Sequence, residues 1–116
     1  MQYMLMFYAD EAEWGALSEE ERQGAIERIG AWYGKQAQAG RIVSGRRLAS
    51  ASRATNVRLG QAGRSGKPVV TDGPFAETKE AIGSFAIVEA PDHVAAVKIA
   101  TSWPGGGGVE IRPLAE

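Results

Sequence analysis

The sequence predicts an α+β domain of ferredoxin-like plan: strand, helix, strand, an inserted hairpin, then strand, helix, strand. Two observations carry most of this. Apolar residues recur at helical spacing behind two recognisable N-caps, Ser18 and Asp92. Short apolar runs bounded by turn residues lie on either side of each helical stretch. A third observation sets the scale: 116 residues with no repeat and no dividing linker suit one domain, residues 1–116.

Residues 2–8 open the chain as an aromatic-rich strand closed by Asp10-Glu11. Tyr3, Leu5 and Phe7 fall on one face, and Met4, Met6 and Tyr8 on the other. A strand that is apolar on both faces needs cover on both. Ser18-Glu19-Glu20-Glu21 then reads as a capping box, with the Ser18 hydroxyl aimed at the Glu21 amide and the Glu21 carboxylate reaching back. The acids of this first turn also complement the helix dipole. Ile26, Ile29, Tyr33 and Ala37 form the apolar stripe, Ala25 and Trp32 widen it, and Gly40 ends it. Gly24, Gly30 and Gly34 each cost the helix about 1 kcal/mol relative to alanine. Packing against the sheet, rather than propensity, must therefore hold it.

Residues 41–48 read as the second strand. Residues 56–59 and 68–71 read as a hairpin around the glycine-rich loop 60–66. In the strand at 81–89, Phe85 and Ile87 oppose Ala86 and Val88. Asp92 caps the second helix, which carries Val94, Val97 and Thr101 on one line and Ala96, Ile99 and Trp103 beside it. Pro104 stops that helix, the glycines of 105–108 reverse the chain, and 109–112 make the last strand.

Two helices cover one face of such a sheet. The other face is apolar too, at Met4, Met6, Tyr8 and alternate positions of 81–89. A second copy of the chain laid sheet to sheet would cover it, and a homodimer is the favoured expectation. The alternative is that the inserted hairpin folds over this face within one chain.

Composition narrows the function classes. Hydrophobic residues at 44% and charged residues at 23% are ordinary for a soluble domain. A net charge of -1 gives no overall field toward nucleic acid or anionic lipid, so neither is an expected partner. The absence of cysteine excludes disulfides, thiolate catalysis and zinc-thiolate sites, and suits a cytoplasmic location. The opening apolar run has no basic leader before it, no small-residue cleavage site after it, and too little length to cross a membrane.

The most specific motif is Asp72-Gly73-Pro74-Phe75-Ala76-Glu77-Thr78-Lys79-Glu80. With Met1-Gln2-Tyr3-Met4-Leu5, Phe7-Tyr8, Gly83, Ile87-Val88-Glu89 and Val109-Glu110-Ile111-Arg112-Pro113, it resembles the DGPF family of the YCII-related group over nearly the whole chain. The resemblance implies a dimeric α+β barrel made from two ferredoxin-like units, with a largely undefined biochemical role. Genes of that family often lie beside those of extracytoplasmic-function sigma factors, which implies a regulatory setting. Two features depart from the pattern. Ser84-Phe85-Ala86 stands where the family commonly has a second glycine and aromatics. Some YCII relatives carry a histidine–aspartate pair proposed to be catalytic, but His93 opens the second helix and matches no such position.

Within the motif, Pro74 fixes its own φ and restricts Gly73, so residues 73–76 make a tight turn. Pro74 has no amide hydrogen, so the Asp72 carboxylate must find another donor, a cation or water. Asp72 is then either a turn-stabilising residue beside a core plug, Phe75, or the catalytic base and polar anchor of a site. Glu77 and Lys79 would be its orienting charges, Tyr8 and Phe75 its apolar walls, and Glu89 a further ligand-binding candidate. The plain alternative for Glu77 and Lys79 is a solvated charged face. Strand alternation sends Arg46 and Arg47 to opposite faces, so at most one points inward, and solubility is the simpler role for the pair.

Other chemistries are poorly supported. Asp92 and His93 cap a helix more simply than they form a dyad, because the dipole disfavours imidazolium there. One histidine and no cysteine leave no histidine-rich metal site, and Asp72, Glu77 and Glu80 have no recognised ligand spacing. Residues 105–108 follow a helix and are not succeeded by Gly-Lys-Ser/Thr, so they are no phosphate loop. No cofactor is expected. An RNA-recognition sheet would need spaced aromatics in its third strand, and residues 81–86 offer Phe85 alone. Two readings remain: a homodimer whose pocket binds or transforms a small polar-aromatic molecule, and a non-enzymatic interaction protein linked to a sigma factor through Arg46, Arg47 and Arg64.

Overall fold

In a computed structural model, which describes residues 1–60, 66–76 and 78–115, strands and helices alternate as β1 (Gln2–Asp10), α1 (Glu11–Ala16), α2 (Glu19–Gln38), β2 (Ile42–Arg47), β3 (Thr55–Arg58), β4 (Val69–Asp72), β5 (Glu80–Glu89), α3 (His93–Thr101) and β6 (Gly108–Pro113). A single 3-10 turn, Ala51–Arg53, separates β2 from β3. The main sheet has the order β2-β5-β1-β6 and every pairing in it is antiparallel. This mixed α+β arrangement is compatible with the ferredoxin-like plan, with β3 and β4 forming a separate two-stranded sheet.

The strict alternation of β1 and β5 builds the core. Tyr3, Leu5 and Phe7 turn to the same side as Ser84, Ala86 and Val88, and all six are buried. Leu5 lies opposite the small Ala86, and that recess admits the helix side chains above it. α2 supplies Trp32 and α3 supplies Ala96, Ile99 and Ala100. The shortest dimension is only 18 Å, the depth of a sheet and one layer of helices.

The capping box forms as expected. The Ser18 hydroxyl accepts from the Glu21 amide at 3.1 Å, and the Glu21 carboxylate accepts from the Ser18 amide at 3.0 Å. These bonds hold the Glu21 carboxyl below its ordinary range. The buried line of α2 differs from the expected stripe. Trp32 and Gln36 point inward, Ile29 and Tyr33 are half-buried, and Ile26 and Ala37 are exposed. The largest apolar surface decides the rotation: Trp32 packs edge-on to Phe7 and Trp103, and its indole N–H donates to the Ser102 hydroxyl at 2.8 Å. Tyr33 donates to the Phe85 carbonyl at 2.9 Å, and burial pushes its hydroxyl pKa up.

On the opposite face Met4, Met6, Phe85 and Ile87 are half-buried, with Met4 opposite Ile87 and Met6 opposite Phe85. The hairpin does not spend its apolar side chains there. Val57 and Val70 face each other across β3 and β4, and both are exposed, as is Val69.

Candidate ligand cavity

A cavity of about 310 Å³ opens on the helix-covered side, where β1 ends and β5 begins. Its residues come from six places in the chain, Ile29 being the contribution of α2. β1 contributes Phe7, Tyr8 and Asp10, and α1 contributes Glu11 and Trp14. Arg47 comes from the end of β2, Ser84 from β5, and Trp103 from just beyond α3.

The local sequence explains how these meet. Asp10 ends β1 and caps α1, accepting from the Ala12 amide at 2.9 Å. The chain therefore turns back across the strand end instead of leaving it. The Glu11 carboxylate accepts from the Ser50 hydroxyl and the Ala51 amide, both at 2.8 Å, which straps α1 to the segment after β2. Trp14 is thereby held under Arg47, whose guanidinium carbon lies 5.2 Å from the Trp14 ring centroid. Phe7 stacks on Trp103 with ring centres 3.7 Å apart. Gly105 lets the chain fold back on that indole, since a Cβ there would sit 2.6 Å from Trp103 Nε1. The Tyr8 ring lies across Gly108, where any side chain would collide with it.

The polar groups divide into two sets. The acids are engaged: Glu11 as above, and Asp10 by Ala12 and by Lys79, whose Nζ lies 3.9 Å from the second carboxylate oxygen. The Asp10 side chain is only 12% exposed. Three groups remain uncommitted. Among the described residues every fully enclosed polar side-chain atom has a hydrogen-bond partner. The Ser84 hydroxyl and the Trp103 indole N–H have none there, so both border open space, and the cavity is the space these two residues line. Ser84 is 6% exposed. Ion pairs among the described residues join Glu89 to the Met1 amine, Lys79 to Asp10, and Arg112 to Glu110, and none engages Arg47.

The residues singled out from the sequence are placed apart. Tyr8 lines the cavity, and Lys79 reaches its edge through Asp10. Asp72 ends β4 opposite Thr55, exposed and outside the lining. Phe75 is 81% exposed and plugs no core, because the turn carrying it projects away from the sheet. Glu89 is five residues along β5 from Ser84, about 16 Å at strand spacing; the Met1 amine lies 2.7 Å from its carboxylate and holds the carboxyl pKa down. Glu77 and Arg64 lie outside the described residues. Arg46 and Arg47 do alternate: Arg46 pairs with Phe85 on the open face and Arg47 with Ser84 on the cavity side. Asp92 caps α3 by accepting from the Ala95 amide at 2.8 Å, and the His93 ring meets Tyr3 edge-on. No group of three or more potential metal-ligating side chains occurs among the described residues.

Asp10, Trp14, Ser84 and Trp103 carry the cavity but did not stand out in the sequence. Asp10 reads there as a strand boundary and Trp103 as one more apolar helix position. The available signal was the Asp10-x-x-Glu13 spacing, which suits an N-cap and an acidic first turn. No helix here is long and apolar enough to cross a membrane.

The YCII-related domain family matches residues 1–116. An uncharacterized protein of Rhizobium meliloti (strain 1021) is 32% identical over 119 residues, which span 99% of this chain and 93% of that protein. Matched end to end by the family and accompanied by a full-length relative, the chain belongs to the YCII-related domain family.

Proposed function

We propose that this YCII-family protein is a homodimer that binds or transforms a small polar-aromatic molecule in the cavity between β1, β5, α1 and the segment after α3. One observation carries the reading. Aromatic walls from Phe7, Trp14 and Trp103 enclose a space bordered by the uncommitted Ser84 hydroxyl and Trp103 N–H. Apolar walls with a few convergent polar groups are the usual make-up of a small-molecule site. The half-buried residues of the open face, Met4, Met6, Phe85 and Ile87, support pairing of two sheets into the barrel that the DGPF resemblance implies. In this reading Tyr8 is a wall, Lys79 orients charge at the edge through Asp10, Phe75 is a further apolar contact, and Glu77, outside the described residues, keeps its proposed part as an orienting charge. Asp72 keeps the proposed part of base or anchor for a ligand that extends beyond the cavity, while the enclosed Asp10 is the acid nearest its interior.

Thermal-shift screening against small aromatic metabolites, alongside light scattering, tests the proposal. The expected result is stabilisation by at least one compound and a particle of twice 12.3 kDa. A monomer at micromolar concentration overturns the dimer, and a library without a single stabilising compound overturns the site. The exposed valines of β3 and β4 favour a second reading, a non-enzymatic interaction protein in a regulatory setting tied to an extracytoplasmic-function sigma factor. Co-purification of such a factor, lost on Val57→Asp and Val70→Asp together, would support it; recovery of the bare dimer would not.

A further inference from the structure

We infer that the cavity selects a flat aromatic acid of about the size of hydroxybenzoate, with its carboxylate on Arg47 and a ring hydroxyl on Ser84. This rests on the cavity being a ligand site, and goes further by naming what it admits.

Size sets the first limit. A volume of about 310 Å³ holds on the order of ten water-sized groups. A single-ring acid fits that space. Shape sets the second. Trp103 lies flat on Phe7, with ring planes only 17° apart, so the lining at that side is aromatic surface backed by a second ring. Such walls favour a planar guest over a branched one.

Charge sets the third. Glu11 is taken up by Ser50 and the Ala51 amide, and Asp10 by the Ala12 amide with Lys79 3.9 Å from its second oxygen, so both acids already face donors of the chain itself. What remains is donor-rich: the Arg47 guanidinium, the Trp103 N–H and the Ser84 hydroxyl. Arg47 rests its face on Trp14, which leaves the edge of its fork open to a carboxylate. No described carboxylate already occupies that edge. Ser84 is the Cα partner of Arg47 on the neighbouring strand, so the cation and the hydroxyl project from one face of the sheet. The hydroxyl both donates and accepts, which matches a phenol. An acid with a hydroxylated ring uses all of these groups; a neutral or cationic analogue leaves Arg47 unpaired.

Calorimetry and indole fluorescence with 4-hydroxybenzoate, 4-hydroxybenzamide and 4-hydroxybenzylamine test the inference in the full chain. The acid is expected to bind at least tenfold more tightly than the amide and to quench the indoles, and the amine is expected not to bind. Arg47→Gln, at an exposed position, should bring the acid down to the amide's affinity with the circular dichroism unchanged. Ser84→Ala should weaken 4-hydroxybenzoate several-fold and leave benzoate unaffected. Equal affinity for acid and amide, or selectivity that survives Arg47→Gln, overturns the aromatic-acid assignment and leaves the aromatic site standing. If none of the three probes binds but screening yields a non-aromatic guest competing at Trp103, the assignment also falls. If nothing binds at all, the cavity reading falls with it.

Discussion

The two faces of the main sheet are woven from the same strands, yet they meet different surroundings. Leu5 is 0% exposed beneath the helices, while its chain neighbours Met4 and Met6 are half-buried on the other side. Ala86 and Val88 are likewise sealed, whereas Phe85 and Ile87 are half-buried. Alternation thus hands the sheet two apolar faces, and the chain's own helices close one of them. The closed face also holds the cavity, at the end where α1 and the loop after α3 leave a gap. The difference separates two roles: stability resides under the helices, and the proposed dimer contact would fall to the other face.

The largest expected effect strikes the closed face. Leu5→Ala should cost about 2–5 kcal/mol in denaturant unfolding, through lost transfer energy and the void left behind. A loss under 1 kcal/mol would show that this face is less tightly packed than its burial indicates. Next comes the bare face. Met6→Asp should leave the far-ultraviolet circular dichroism intact while halving the mass seen by light scattering, because it puts two carboxylates into the proposed sheet-to-sheet contact. If the mass does not change, the two faces do not divide the work in this way.

A smaller effect is expected at the start of α2. Ser18→Ala should lower stability by about 1 kcal/mol, since the Glu21 amide loses its acceptor. The smallest is a pH dependence. The folded state lowers the Glu21 pKa, so its contribution is fully present above the unfolded value of 4.5 and fades as pH falls through the folded one. Denaturation midpoints measured downward from pH 6 should therefore decline slightly more steeply for the native chain than for Glu21→Gln. Parallel curves would assign the acid sensitivity to other groups.

The long elements could be read from the residues because their signals are local. Ser18 and Glu21 lie three positions apart, and the alternation of 81–89 is complete within one strand. Even the divergence of Arg46 and Arg47 follows from the pleat alone. α1 escaped notice because its six residues span less than two turns, too few to show a period. The inward line of α2 was set by Trp32 finding Phe7 and Trp103, contacts that no window on the helix contains. The cavity was hidden for the same reason: Phe7 and Trp103 lie at opposite ends of the chain and meet only when β1 and α3 pack. The Asp72–Glu80 motif drew attention by its compactness, but a dense motif marks a family more readily than it marks a site. There Phe75 stands in solvent and, among the motif's described residues, Lys79 reaches toward the enclosed acid.

The strap made by Glu11 has a consequence for how a guest is received. Its carboxylate grips Ser50 and Ala51 while Asp10 pins the other side of the same short helix. Trp14 and the Arg47 guanidinium over it are thus set in place as one unit by bonds internal to the chain. In the proposed site such prior placement would spare a guest the cost of ordering them.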